Sequence, residues 1–158
     1  MRELKRILVA TDFSPGSWAA LERARQLADC FGASIDVIHA YFSPPYIAPE
    51  VMVGYGAAAA NQTLSELVRK EAEHSLEEFV AQAARKGIEI ANARAVYGEA
   101  AASILQIAEE DDFDLIALGT HGRTGLAHVL LGSVAEKVLR RADRPILTVR
   151  EPSARQAA

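Results

Sequence analysis

Short runs of β-branched and apolar residues alternate along this chain with longer segments of helical period, and this alternation limits the fold more than any single motif does. Arg6–Ala10, Ser34–Ala40, Glu89–Val96, Leu115–Leu118 and Pro145–Val149 read as strands. The first, second and fourth are nearly all apolar, as strands covered on both faces should be. Strands that take turns with helices predict an α/β protein on a parallel sheet.

The intervening segments carry their own start and stop signals. Pro15–Phe31 reads as a helix because Ser14 suits the N-cap, Pro15 the first helical position and Gly32 the C-terminal stop. Its apolar face is expected to hold Ala20, Leu21, Ala24, Leu27, Ala28 and Phe31, with Trp18 covering its outer packing. Thr63–Lys86 spaces Leu64, Leu67, Val68, Ala72, Leu76, Phe79, Val80 and Ala83 by helical turns and then meets Gly87. Ala100–Glu110 turns Ile104, Ile107 and Ala108 inward, and Ser133–Arg141 turns Val134, Val138 and Leu139 inward. Arg140 and Arg141 suit the negative end of that last helix. Ser43–Ala60, with its prolines, glycines and alanine run, has no period and reads as a lid, a contact segment or a passive loop.

Composition excludes several classes. A chain of 158 residues reads as a single domain over 1–150 with a short tail at 151–158. With 17 Lys+Arg scattered against 21 Asp+Glu, the net charge of −4 argues against a nucleic-acid partner. Cys30 is the only cysteine, which leaves no internal disulfide, and it reads as a small packed residue in a reducing, cytoplasmic protein. No apolar run is long enough for membrane insertion. His39, His74, His121 and His128 have no carboxylate or cysteine spaced to complete a metal site with them.

The stretch from Leu115 through Gly119, Gly122 and Gly125 to Gly132 and Ser133 is a buried strand running into a glycine-rich turn and then a helix. Two readings stand side by side: a turn whose backbone angles need glycine, or a cradle in which N–H groups at a helix N-terminus approach phosphate. The run Gly119-x2-Gly122-x9-Gly132-Ser133 resembles the nucleotide motif of the universal stress protein family. Lys5–Ser14 is similar to that family's first strand and acidic turn, and Pro145–Val149 to its last strand.

That resemblance implies a doubly wound, open, five-stranded parallel sheet of order 3-2-1-4-5, Rossmann-like, with helices on both faces. It also implies the subgroup that binds ATP. The backbone of Gly119, Gly122, Gly132 and Ser133, with the Ser133 hydroxyl, would then hold the triphosphate. Ala10, Thr11 and Asp12 would contact the adenosine, Ala40 would read the adenine edge, and Leu118 would pack nearby. Asp12 equally reads as a cap on the turn that follows it. Arg123 reads either as a phosphate neutraliser or as a solvated loop residue, and Thr11 and Thr120 carry the same pair of readings. His121, inside the motif, would line the phosphates.

Backbone donors and one hydroxyl leave a triphosphate's charge incompletely neutralised, so Mg²⁺ is expected with ATP. The motif has no Gly-Lys-Ser/Thr element and no evident water-positioning base. The expected function is therefore regulatory ATP binding in a stress response, read by an unidentified protein partner. A slow ATP hydrolase, a phosphoryl or adenylyl transferase, and a structural dimer with vestigial nucleotide binding are the alternatives. The apolar edge Pro145–Arg150 is expected to pair two copies into a homodimer.

Overall fold

In the computed structural model, which describes residues 3–42, 50–53, 62–120 and 131–150, the chain alternates strand and helix. It runs β1 (Arg6–Ala10), α1 (Pro15–Phe31), β2 (Ser34–Tyr41), β3 (Met52–Val53), β4 (Gln62–Thr63), α2 (Leu64–Arg85) and β5 (Asn92–Tyr97). It continues through α3 (Ala100–Glu110), β6 (Leu115–Gly119), α4 (Ser133–Arg141) and β7 (Ile146–Val149). The main sheet has order β5-β2-β1-β6-β7, with every neighbouring pair parallel. Counting its five strands alone, that order is 3-2-1-4-5.

Strand alternation divides the core between two faces. Ile7 and Val9 of β1 meet Leu21 and Ala24 of α1 and Leu76 and Phe79 of α2. Leu8, on the opposite face, meets Ile104 and Ile107 of α3 and Val138 of α4. Helices therefore cover both faces, and the three central strands have the buried runs their composition predicts.

Three of the four described helices, α1, α2 and α3, begin at a residue whose side chain caps them. Ser14 accepts a hydrogen bond from Ser17 N–H at the start of α1, and Gly32 closes that helix in the left-handed conformation with φ 69°. Thr63 and Glu66 form a reciprocal capping box on α2. The Thr63 backbone N–H, with the Thr63 hydroxyl after it, holds the Glu66 carboxyl below its ordinary range.

Several expectations need correction. The edge strand begins at Asn92 and not Glu89, because Ile88 drops into the core before the chain reaches the sheet. Phe31, Leu67 and Leu139 are exposed, and so is Cys30. Leu139 lies one residue, about 100° of helix turn, beyond buried Val138. Cys30 likewise follows buried Ala28 by two residues and points outward. Trp18 reaches across to α2, where its ring lies 4.1 Å from Phe79 and under the Lys86 ammonium. β3, within the segment of no period, pairs with β4 just beyond that segment in a short antiparallel ladder. Two-residue strands are too short for a period to show in sequence.

Candidate functional site

The turn from β1 into α1 is held by its own polar groups. Thr11 is buried; its hydroxyl accepts from Phe13 N–H at 3.0 Å and donates to the Ser17 hydroxyl at 3.0 Å. Asp12 Oδ1 accepts from the Ser14 N–H at 3.1 Å and the Ser14 hydroxyl at 2.5 Å. Phe13 has φ 66°, a left-handed conformation that a bulky residue adopts only when its surroundings fix it. Its ring packs 4.3 Å from His39 and 5.7 Å from Phe79, and His39 Nδ1 donates to the Thr11 carbonyl at 2.9 Å. A strand residue, an aromatic stack and a helix cap thus fix where Thr11 and Asp12 stand.

Beside this turn a cleft of about 230 Å³ opens at the C-terminal ends of β1, β2 and β6. That is far more room than a water needs. It lies where strand order reverses, between β1 and β6, the usual ligand position in an open α/β sheet. Ile38, Ala40, Ile104 and Leu118 give part of the wall an apolar surface, while Thr11, Asp12, Ser17, Thr120 and Ser133 supply polar groups.

Three helices bring their N-terminal ends to this cleft, through Ser17 of α1, Ala100 of α3 and Ser133 of α4. Two of the three are capped from within. Ser14 serves α1, and the Glu99 carboxylate serves α3 by accepting from Ala102 N–H at 2.8 Å. That hydrogen bond, and then the Lys137 ammonium at 3.0 Å, hold the Glu99 carboxyl below its ordinary range. α4 differs: its N-cap is Gly132, with no side-chain cap. Its first turn presents backbone N–H groups and the positive end of the helix dipole to whatever occupies the cleft. Gly132 is itself fixed by an N–H bond to the Thr120 carbonyl at 2.6 Å, and Thr120 N–H is bonded to Val149 O at 2.9 Å.

The universal stress protein family model matches residues 3–150. The chain belongs to that family. It is 34% identical over 148 residues to universal stress protein MJ0531 of Methanocaldococcus jannaschii, covering 94% of this chain and 83% of that one. It is 31% identical over 150 residues to universal stress protein A homolog 1 of Coxiella burnetii, covering 92% and 95% respectively. Among solved structures, MJ0577 of M. jannaschii superposes with TM-score 0.75 at 25% identity, over 97% of this chain and 100% of that one. A universal stress protein solved in complex with cAMP superposes with TM-score 0.66 at 26% identity, over 96% and 100%.

In this universal stress protein, Ala10, Thr11, Asp12, Ala40, Leu118, Gly119, Gly132 and Ser133 all line the one cleft. Gly122, Arg123, His121 and His128 lie outside the described residues. Thr11 and Thr120 are buried, which removes their solvated reading. Both geometries expected of Asp12 coexist: it caps the turn and it lines the cleft. Gly119 has a further use, since a Cβ there would stand 2.7 Å from the backbone of Gly16. Its missing side chain lets α1 lie against β6, while the residue itself still borders the cleft. Ser17, Ala100 and Ile104 are cleft residues the motif does not mark. The signal was in the topology, because a helix after a parallel strand must begin at that strand's C-terminal end. Among the described residues there is no cluster of His, Cys, Asp or Glu arranged to hold a metal, and no helix is long and apolar enough to cross a membrane.

Proposed function

We propose that this universal stress protein binds an adenine nucleotide in the cleft, ATP with Mg²⁺ by preference, and that occupancy regulates how it meets its partners. The observation that carries the reading is the pairing of an apolar wall with the N-terminus of α4, which no side chain among the described residues caps. An apolar wall suits a base, and uncapped N–H groups suit phosphate. A relative of 26% identity solved with cAMP supports the nucleotide class. The Ser133 hydroxyl and the amides of α4 would serve the phosphates, together with Gly122 and Arg123 of the same motif. Ala10, Thr11, Asp12, Ala40 and Leu118 would surround the adenosine. Mg²⁺ would be held chiefly through the phosphates, neutralising charge that amides leave uncompensated.

Calorimetry with ATP, ADP, AMP and GTP, each with Mg²⁺, tests the assignment. ATP should rank first, and omitting Mg²⁺ should weaken it. Equal affinity for ATP and GTP would remove the adenine-reading role of the β2 end.

The sheet edge at β7 supports the second half of the proposal. β7 pairs with β6 on one side and, among the described residues, with no strand on the other. Ile146, Leu147 and Val149 remain half-buried there. Pairing of two such edges would cover them and form a homodimer. Because Thr120 N–H joins Val149 to the strand end that also positions Gly132, this edge lies directly beside the proposed phosphate site. Sedimentation at micromolar concentration should show a species of twice the chain mass, and a purely monomeric profile would overturn the dimer. The reducing cytoplasm is the compartment this reading places it in.

A further inference from the structure

The opposite edge of the sheet carries a second surface, remote from the cleft. β5 pairs only with β2, and no strand among the described residues lies on its outer side. Gly98 N–H bonds Tyr41 O at the end of the ladder, and strand alternation therefore turns the N–H groups of Ala93, Ala95 and Tyr97 away from β2. β5 has none of the usual guards of an exposed edge: no proline, no lysine and no bulge. Arg94 is its one charge, and that side chain is held by Asp111 on the α3 side.

Beside this edge, on the other face, runs a groove between α2 and β5. Val80 and Ala84 of α2 and Ala93 and Ala95 of β5 form its floor, and Glu73 and Glu77 stand on its rim. The alanines leave depth that larger side chains would fill. Glu73 makes an exposed pair with Arg69 at 3.0 Å, whereas Glu77 has no ion-pair partner among the described residues.

We propose that β5 and this groove form a docking site for an extended peptide segment of another protein, with apolar residues and then a basic one at every second position, that adds to the sheet as a further strand. Strand addition supplies backbone hydrogen bonds that any sequence can make, and alternate side chains then fall on one face. On the α2 face, apolar side chains would fill the space over Ala84, Ala93 and Ala95, and a lysine or arginine would meet Glu73 and Glu77. Charge selects this occupant over a second copy of the chain. Another copy would bring the same two carboxylates into the interface and no cation from its own groove.

The test titrates the full, isotope-labelled chain with an acetylated and amidated peptide in which threonine alternates with valine, valine and lysine in turn, so that the valines and the lysine share one face. The amide signals of Ala93, Ala95 and Tyr97 should shift, and their exchange with solvent should slow at least about tenfold. The same peptide with alternate backbone nitrogens methylated should not bind, nor should a valine and glutamate counterpart. A Glu73→Lys, Glu77→Lys variant should bind the lysine peptide about tenfold more weakly and take up the glutamate one. Equal binding of the methylated peptide, or shifts confined to other surfaces, would overturn the proposal. So would protection of these same amides by self-association of the protein without peptide, since a second copy would then be the occupant. ATP affinity should be unchanged in the variant, so this outcome is independent of the cleft's assignment.

Discussion

Gly132→Val should lower ATP affinity by at least about a hundredfold and leave the protein folded, whereas Gly119→Ala should destabilise the fold. The two glycines belong to one motif and differ in what their missing side chain serves. Gly132 has φ −69° and ψ 155°, angles that valine adopts without strain. Its substitution therefore leaves the backbone in place and sets a branched side chain where phosphate would meet the first turn of α4. Two charge-assisted hydrogen bonds, each about 1.5–3 kcal/mol, account for a hundredfold loss, because 1.4 kcal/mol is about a factor of ten. The weaker N-cap adds a stability loss of up to about 1 kcal/mol. At Gly119 a methyl group would lie 2.7 Å from the Gly16 carbonyl carbon, and backbone cannot step aside as a flexible side chain does. Overpacking of that kind costs about 1–3 kcal/mol. Calorimetry with ATP and a urea titration on each variant separate the effects. A Gly132→Val protein that binds ATP normally would refute the phosphate role of α4, and a Gly119→Ala protein of unchanged stability would refute the packing role of Gly119.

This contrast also shows what the sequence could and could not convey. Spacing identified Gly119 and Gly132 as a pair but could not say that Gly119 faces α1, since that depends on how closely Gly16 approaches. The fold itself was legible, because each central strand is a run covered on both faces and α1 carries its caps, Ser14 and Gly32, at its ends. Less legible were the ends of elements and the faces of the outermost turns. Glu89 and Ile90 continue an apolar alternation into β5, yet the chain joins the sheet only at Asn92 because Ile88 is drawn into the core first. Phe31 and Leu67 fit the helical period of their segments but lie in terminal turns and stay exposed.

The same limit explains the cleft. Thr11, Asp12, Gly132 and Ser133 sit in stretches whose composition already suggests a ligand turn. Ala100 and Ile104 are ordinary helix residues, and only the return of α3 to the C-terminal edge of the sheet brings them to the site. Asp36 presents the reverse case. It interrupts an apolar strand, and what makes it tolerable is a pair of partners contributed by two other strands, Arg6 of β1 and Asn92 of β5.

That buried aspartate leads to the largest stability effect expected away from the cleft. Asp36, the third residue of β2, lies near the N-terminal edge of the sheet, with its side chain only 5% exposed. Arg6 Nη2 donates to Asp36 Oδ2 at 3.2 Å, and Asn92 Nδ2 donates to the same oxygen at 3.2 Å. Arg6 also donates to the Asp111 carbonyl and lies 4.3 Å over the ring of Phe113, while its own side chain is 38% exposed. The burden of the pair is therefore unequal. In Arg6→Met the stem still covers Phe113, but Asp36 stays buried with Asn92 as its remaining side-chain partner, and the loss should be about 3 kcal/mol. In Asp36→Val the guanidinium keeps the Asp111 carbonyl, the Phe113 ring and access to water, and the loss should be nearer 1 kcal/mol. Adding Asp36→Val to Arg6→Met should consequently restore stability, because it removes the uncompensated charge. Urea midpoints for the two single variants and the double one check this, with ATP affinity expected to stay at the parent value because the network sits at the strand starts and the cleft at the strand ends. If the double variant were less stable than Arg6→Met alone, the buried charge would not be what Arg6 compensates, and its contribution would have to come from the Asp111 carbonyl and the Phe113 ring instead.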